Sequence, residues 1–273
     1  MRPEISILSV NYNSSGFIEN LLFCLSKLTS NPNYSVYILD NGSLQTDFKK
    51  LRAVTRLYKN VFLERHLTNS TGSFAHAEGL NYLIKKVKTP YFAIIDPDAC
   101  PLIKNWDRIL IDLLDKETKA VGTQASSSHK PGDFPLVFLA IFETEIFKEQ
   151  KINFSPGDLS KYQDVGYEIR EKYLKVGYKG KVLEVKNTRH FKKGPFRNLI
   201  GVSEYYLDGN YDNIIASHFG RGSVLGATKY KQGVSQLIYS LPKIGPFLLK
   251  KKGQWEKEKW IKVCHEIIKR QVQ

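Results

Sequence analysis

Asp96-Pro97-Asp98 sets two carboxylates one residue apart with a rigid proline between them. A pair so spaced can present oxygens to a hard divalent cation such as Mg2+ or Mn2+ while a diphosphate supplies further oxygens. The triplet also reads as a solvated Asp-Pro turn that closes a strand. Its placement favours the ligand site, because it directly follows the apolar run 91–95 and ligands in open α/β sheets bind at strand ends. Asn11-Tyr12-Asn13 after the run 5–10, and Asp40-Asn41-Gly42-Ser43 after the run 36–39, occupy equivalent places. Taken alone, Asp40 reads equally well as the start of an Asx-turn with Gly42. A dinucleotide site would put Gly-x-Gly-x-x-Gly after the first strand; the segment 11–16 holds one glycine, which argues against a dehydrogenase.

The elements that must position these residues are legible as a pattern. Short apolar, β-branched runs at 5–10, 36–39, 61–63 and 91–95 alternate with segments of helical period, notably 17–28 and 75–87. Such alternation implies βαβ units and a parallel sheet. In the third connection Ala77, Leu80, Ile84 and Val87 share a face, Lys85, Lys86 and Lys88 crowd the C-terminal end, and Pro90 marks the stop. From about residue 131 the pattern turns irregular, with an apolar run 136–142, a helix over 165–174 and a strand over 181–185. The last stretch carries Pro242, Gly245, Pro246 and Gly253 as breakers. A helix is then predicted over 255–272, with Trp260, Ile261, Cys264 and Ile268 on one stripe.

Composition bounds the rest. A chain of 273 residues with 42% hydrophobic content can bury a sizeable core and is not disordered. Forty-one Lys and Arg against 27 Asp and Glu give a net charge of +14, which suits nucleic acid, an anionic membrane face or phosphorylated small molecules. Cys24, Cys100 and Cys264 lie far apart in sequence with no zinc or disulfide spacing, so a reducing, cytoplasmic setting is expected. No signal-peptide pattern opens the chain, and no apolar run approaches a membrane span. Phe247-Leu248-Leu249 followed by Lys250-Lys251-Lys252, with Trp255 and Trp260 close behind, suits the surface of an anionic membrane; it also reads as a solvated helix packed on the domain. A nucleic-acid-binding module competes on charge, through basic stretches such as 172–181, but no recognised motif accompanies it. A nucleotidyltransferase would need a basic, glycine-rich stretch after the first strand, and 11–16 has no basic residue.

Residues 5–13, Ile38-Leu39-Asp40-Asn41-Gly42-Ser43, 72–81 and 89–98 together resemble, in order, the blocks of the family 2 glycosyltransferases, over the chain's start to about Gly122. Further on, Gln163-Asp164-Val165-Gly166-Tyr167 followed by Val176-Gly177-Tyr178 resembles the family's acceptor-side block, with Gln163 where the family has Glu. His218-Phe219-Gly220-Arg221-Gly222-Ser223 resembles the family's His-x-Gly-Gly-Gly-Ser segment, with Arg221 in place of a glycine.

The resemblance implies a GT-A fold: a Rossmann-like, mostly parallel α/β sheet flanked by helices, with an irregular acceptor-side half and a C-terminal helical extension. It implies an inverting hexosyl or deoxyhexosyl transfer from a nucleoside-diphosphate sugar to a glycan or lipid-linked acceptor. Asn11 would then lie at the donor site, Asp40 contact the base or ribose, and Asp96 lie near the ribose and diphosphate. Asp98 and His218 would bind a divalent metal, Mn2+ or Mg2+, and Asp164 act as general base. Without that context Asp164 reads as the N-cap of the helix 165–174. Arg221, inside a glycine-flanked loop, is assigned a charge-assisted contact to donor phosphate. His76 is read as structural or donor-adjacent, whereas His66, His129, His190 and His265 form no ligand spacing. The chain then divides into a donor half, 1–125, an acceptor and catalytic half, 126–230, and a basic helical extension, 231–273. Peripheral contact with an anionic membrane is admitted, and nucleic acid is not expected.

Overall fold

A computed structural model of the protein describes residues 5–125, 130–207, 209–231, 235–242 and 244–272, so His129 lies outside the described residues. Strand β1 (Ile5–Asn11) is followed by α1 (Ser15–Leu28), β2 (Ser35–Asp40), α2 (Gln45–Thr55), β3 (Val61–Arg65), α3 (Gly72–Leu83) and β4 (Tyr91–Ile95), the alternation that the hydrophobic period predicts. Then come β5 (Ala99–Pro101), α4 (Trp106–Ile111), β6 (Thr118–Gly122), β7 (Leu139–Glu143), α5 (Thr144–Glu149), α6 (Glu168–Lys175), β8 (Lys179–Val182) and β9 (Glu184–Asn187). Strands β10 (Ser203–Leu207) and β11 (Asn210–His218) precede α7 (Ser235–Tyr239) and α8 (Ile244–Val272).

The larger sheet has the order β3-β2-β1-β4-β7-β6-β8, with β7 antiparallel to both neighbours and every other pairing parallel. Helices cover both of its faces, which is why its central strands carry no polar alternation. Ile5, Ile7, Ala93 and Ile95 enter one core with Phe17, Leu21 and Trp260. The intervening residues Leu8, Val10, Phe92 and Ile94 point the other way, into a second core with Ala77, Leu80 and Tyr173. A smaller antiparallel sheet, β5-β11-β10-β9, abuts the first and carries the chain back towards the end of β4.

Several boundaries differ from the sequence reading, each for a local reason. The helix predicted over 75–87 starts earlier and ends at Leu83, followed by a single 3-10 turn and an extended Val87 ahead of Pro90. The helix predicted over 165–174 starts only at Glu168, because Gly166 takes φ +73°, a left-handed conformation that stops a helix from beginning before it. The strand predicted over 181–185 is split at buried Leu183 between the two sheets, β8 pairing with β6 and β9 with β10. Of the breakers before residue 255, Pro242 lies between α7 and α8, whereas Gly245, Pro246 and Gly253 do not break: α8 runs from Ile244 through all three. Proline is tolerated in a first turn, where its missing N–H has no partner to lose. Gly253 serves close packing, since a Cβ there would lie 2.1 Å from the Leu225 carbonyl oxygen. The three cysteines, distant in sequence, are all buried, and the sulfurs of Cys100 and Cys264 lie 3.6 Å apart between β5 and α8.

Candidate active site

A cavity of about 790 Å³ opens at the ends of β1 and β4 and is walled by the segments 67–73, 96–98 and 220–223. Asp96 and Asp98 form its acidic part. Strand β4 ends at Ile95, the Asp96 N–H donates to the Phe138 carbonyl at 2.9 Å, and the Ala99 N–H closes a turn back onto the Asp96 carbonyl at 3.0 Å. The chain leaves that turn as β5 and pairs with β11 in the register Ala99 opposite His218. That single pairing carries His218 across 120 positions of sequence to within 3.3 Å of Asp98, Nε2 to Oδ1. The other Asp98 oxygen accepts from the Gly222 N–H at 2.7 Å. Gly222 is the residue that fits, since a Cβ there would stand 2.7 Å from the Asp98 Cβ.

Asp96, Asp98 and His218 form the group of potential metal ligands found among the described residues, with their ligand atoms within 4.8 Å of one another. Two carboxylates and an imidazole are a donor set that suits Mn2+ or Mg2+. Asp96 Oδ1 is buried with no hydrogen-bond partner among the described residues, and His76 Nε2 stands 3.6 Å from it. Burial pushes the Asp96 carboxyl up to about 6; His76 and His218 oppose that shift, and the charges of Asp98 and Asp164 add to it. Burial also penalises charge on Asp98, but the field and hydrogen bond of His218, the Gly222 N–H and Lys229 outweigh it and hold that carboxyl below its usual range. His218 responds in the opposite sense. Burial disfavours its imidazolium, yet Asp98, with Asp96 behind it, raises its pKa.

Asp164 lines the same cavity. It does not cap α6, whose N-cap is Tyr167; the left-handed Gly166 separates the carboxylate from the helix. Its Oδ1 accepts from the Val165 N–H at 2.8 Å and its Oδ2 lies 3.4 Å from Lys130 Nζ. Burial opposes its charge, but the Ser73 hydroxyl, the Val165 N–H and Lys130 together lower its pKa, so it is a carboxylate at neutral pH.

Arg221 lines the cavity with a left-handed backbone, φ +65°, between Gly220 and Gly222. Its guanidinium donates to the Thr228 hydroxyl. Asn11 and Asp40 are placed differently: both are 0% exposed and neither lines the cavity. Asp40, the last residue of β2, accepts from the Asn11 amide at 2.9 Å and the Ser43 N–H at 3.2 Å and stands 3.3 Å from Arg65 Nε. A buried carboxylate needs such partners. The next two residues, Asn41 and Gly42, reach the wall instead, and the Asn41 amide donates to the Ala75 carbonyl at 2.6 Å.

The sequence profile of Glycosyl transferase family 2 matches residues 6–174, more than half of the chain. The chain belongs to glycosyltransferase family 2. Among solved structures, this glycosyltransferase is similar to the mannosyltransferase PcManGT of Pyrobaculum calidifontis, in complex with GDP-Man and Mn2+. That match has a TM-score of 0.55 at 14% identity and covers 98% of this chain and 74% of that one. It is also similar to S. aureus TarS 1–349, with a TM-score of 0.49 at 15% identity over 95% of this chain and 72% of that one. Glucosyl-3-phosphoglycerate synthase of Mycobacterium tuberculosis, bound to Mn2+, UDP and glucosyl-3-phosphoglycerate, gives a TM-score of 0.47 at 14% identity over 64% of this chain and 67% of that one. No curated protein matches the sequence. The fold of the glycosyltransferase is of the GT-A type. Nucleic-acid binding and nucleotidyl transfer are not favoured.

One group in this glycosyltransferase carried no sequence signal. Lys229 is buried behind the acidic cluster, its Nζ donating to the Phe219 carbonyl at 2.8 Å and standing 3.6 Å from the Phe219 ring centroid. Burial lowers its pKa to about 8 against the fields of Glu256 and Asp98. In so basic a chain nothing marks one lysine as internal.

Proposed function

We propose that the enzyme transfers a sugar from a nucleoside-diphosphate sugar to a hydroxyl of a glycan or lipid-linked acceptor, with inversion and with Mn2+ or Mg2+ held by Asp98 and His218. The observation that supports this reading is the meeting of Asp96, Asp98 and His218 in a cavity whose wall also carries Asp164. The orphaned Asp96 oxygen fits a cation, so Asp96 joins the ligand set as a third donor. Bound there, the cation neutralises charge developing on the leaving diphosphate.

The chain's own residues supply the rest. The ionised Asp164 takes the proton from the attacking acceptor hydroxyl, and Lys130 and the Val165 N–H hold it in place. Arg221 turns from Thr228 to a donor phosphate oxygen, a charge-assisted contact. Asn11, Asp40 and Ser43 act from below the wall, fixing the turn that sets Asn41 and Gly42 against the donor. Residues before 125 then form the donor side and Asp164, His218 and Arg221 the catalytic side of one cavity.

Arg221→Ala is expected to raise donor KM about tenfold, the worth of one charge-assisted hydrogen bond, with a smaller change in kcat; steady-state kinetics that leave both constants unchanged would remove Arg221 from the donor site. Protons compete with metal for Asp96, whose carboxyl loses its proton only as pH rises through about 6, and for His218, which ligates only as the neutral imidazole and whose pKa Asp98 raises. The rise in melting temperature given by nucleoside diphosphate plus Mn2+ therefore shrinks as pH falls from about 7.5 to about 5.5. No rise at any pH would count against the metal-diphosphate site itself.

A further inference from the structure

The outer side of α8 is used by neither core nor catalytic cavity. Its buried residues, Leu249, Gly253, Glu256, Trp260, Cys264 and Ile268, recur every three or four positions and leave the opposite side of the helix to solvent. Over the N-terminal half that side is not the charged surface of an ordinary exposed helix. Ile244, Phe247, Lys251, Trp255 and Lys259 follow one another at three- or four-residue spacing, which keeps them on one side. Phe247 is 57% and Trp255 42% exposed. Lysine ammonium groups lie against these rings: Lys251 is 4.8 Å from the Phe247 centroid, and Lys252 and Lys259 are 4.3 and 3.8 Å from that of Trp255. Leu237 and Leu241, just ahead of the helix, are exposed as well. Trp260, by contrast, is fully buried, so the sequence motif splits into one core tryptophan and one surface tryptophan.

A second cavity, of about 440 Å³, is built on the same end of α8 from Val224, Leu225, Pro246 and Leu249 with Lys231 and Lys250. Ser223 lines both this cavity and the catalytic one.

Lysines alone would serve any polyanion. Leucine, isoleucine and phenylalanine left in water beside them are served by a lipid surface, where rings and aliphatic chains enter the boundary between headgroups and acyl chains while ammonium groups meet lipid phosphates. The net charge of +14 adds attraction at longer range. No described helix is long and apolar enough to cross a membrane. We propose that Leu237, Leu241, Ile244, Phe247 and Trp255, with Lys250, Lys251 and Lys259, form a docking face for an anionic lipid bilayer.

Trp255 reports on its own docking, because Trp106 and Trp260, the other two tryptophans, are 0% exposed. The full chain is mixed with vesicles of phosphatidylglycerol and phosphatidylethanolamine, or of phosphatidylcholine alone, without donor or acceptor. Co-sedimentation and a blue shift of tryptophan emission are expected with the anionic vesicles, weakened at about 0.5 M salt and absent with phosphatidylcholine. The double variant Phe247→Ser, Trp255→Ser and the double variant Lys250→Glu, Lys251→Glu each weaken sedimentation at least about tenfold while keeping the circular dichroism of the parent. Should either variant fail to fold, quenching of the parent's tryptophan emission by brominated lipid decides in its place. No sedimentation at low salt, no quenching, or full sedimentation of the Phe247→Ser, Trp255→Ser variant would overturn the proposal, as would a salt-sensitive RNA shift without vesicle binding. Failure on vesicles leaves the transferase reading intact, since that reading is scored on nucleotide and metal.

Discussion

Asp98→Asn is expected to lower kcat/KM by about 10³-fold and to abolish the stabilisation given by Mn2+ with nucleoside diphosphate, while the protein keeps its fold. The substitution is chosen to separate charge from shape. Asparagine can still accept from the Gly222 N–H that now bonds Asp98 Oδ2, so the tight approach of the 220–223 segment survives. What disappears is the negative charge that a cation would face and that raises the pKa of His218. Metal-assisted departure of a diphosphate contributes several kcal/mol, and each 1.36 kcal/mol is about tenfold in rate. Calorimetric Mn2+ titration in the presence of nucleoside diphosphate, beside steady-state kinetics, measures both parts. Turnover within about threefold of the parent, with Mn2+ binding retained, would place the metal elsewhere.

Asp164→Asn is the second large effect: turnover falls about 10²–10⁴-fold, the usual contribution of a positioned general base, with donor KM little changed. The two readings of Asp164 open in the sequence predict different failures. A helix cap lost from α6 would cost about 1 kcal/mol of stability and leave chemistry intact. The structure removes the cap by starting α6 at Glu168, beyond the left-handed Gly166, so the melting temperature is expected to move little. Asparagine keeps an acceptor for the Val165 N–H and loses the pairing with Lys130, a partly exposed contact of small worth. A variant that is destabilised yet turns over normally would return Asp164 to a structural role.

The donor half was legible in the sequence because its signals are local. A strand of seven buried residues, a helix of matching period and a polar residue at the strand end all lie within one short window, so β1, β2 and β4 and the Asp96 turn could be placed directly. The catalytic half depends on pairing over distance. His218 meets Asp98 only because β5 pairs with β11, and no period in the sequence announces a three-residue strand. The resemblance supplied that link where spacing could not. Backbone conformation was equally hidden: Arg221 stands in the glycine-flanked loop at φ +65°, a conformation at which a side chain is strained, and Gly166 decides where α6 begins. Asp40 shows the limit of the strand-end rule, because the last residue of β2 points inward to Asn11, Ser43 and Arg65 and hands the cavity wall to Asn41 and Gly42. The C-terminal helix is longer than its sequence suggests for a related reason. Pro246 and Gly253 read as breakers, yet one occupies a first turn and the other a close helix-to-loop contact with Leu225.

A metal-held diphosphate at Asp96, Asp98 and His218 is tested by release of nucleoside diphosphate from a panel of nucleotide sugars, with Mn2+ and with EDTA, in the parent and in Asp98→Asn. At least one nucleotide sugar is expected to release its diphosphate in the parent with Mn2+, with EDTA and Asp98→Asn each suppressing release by about 10³-fold. Release that is equally fast in EDTA, or undiminished in Asp98→Asn, would contradict it.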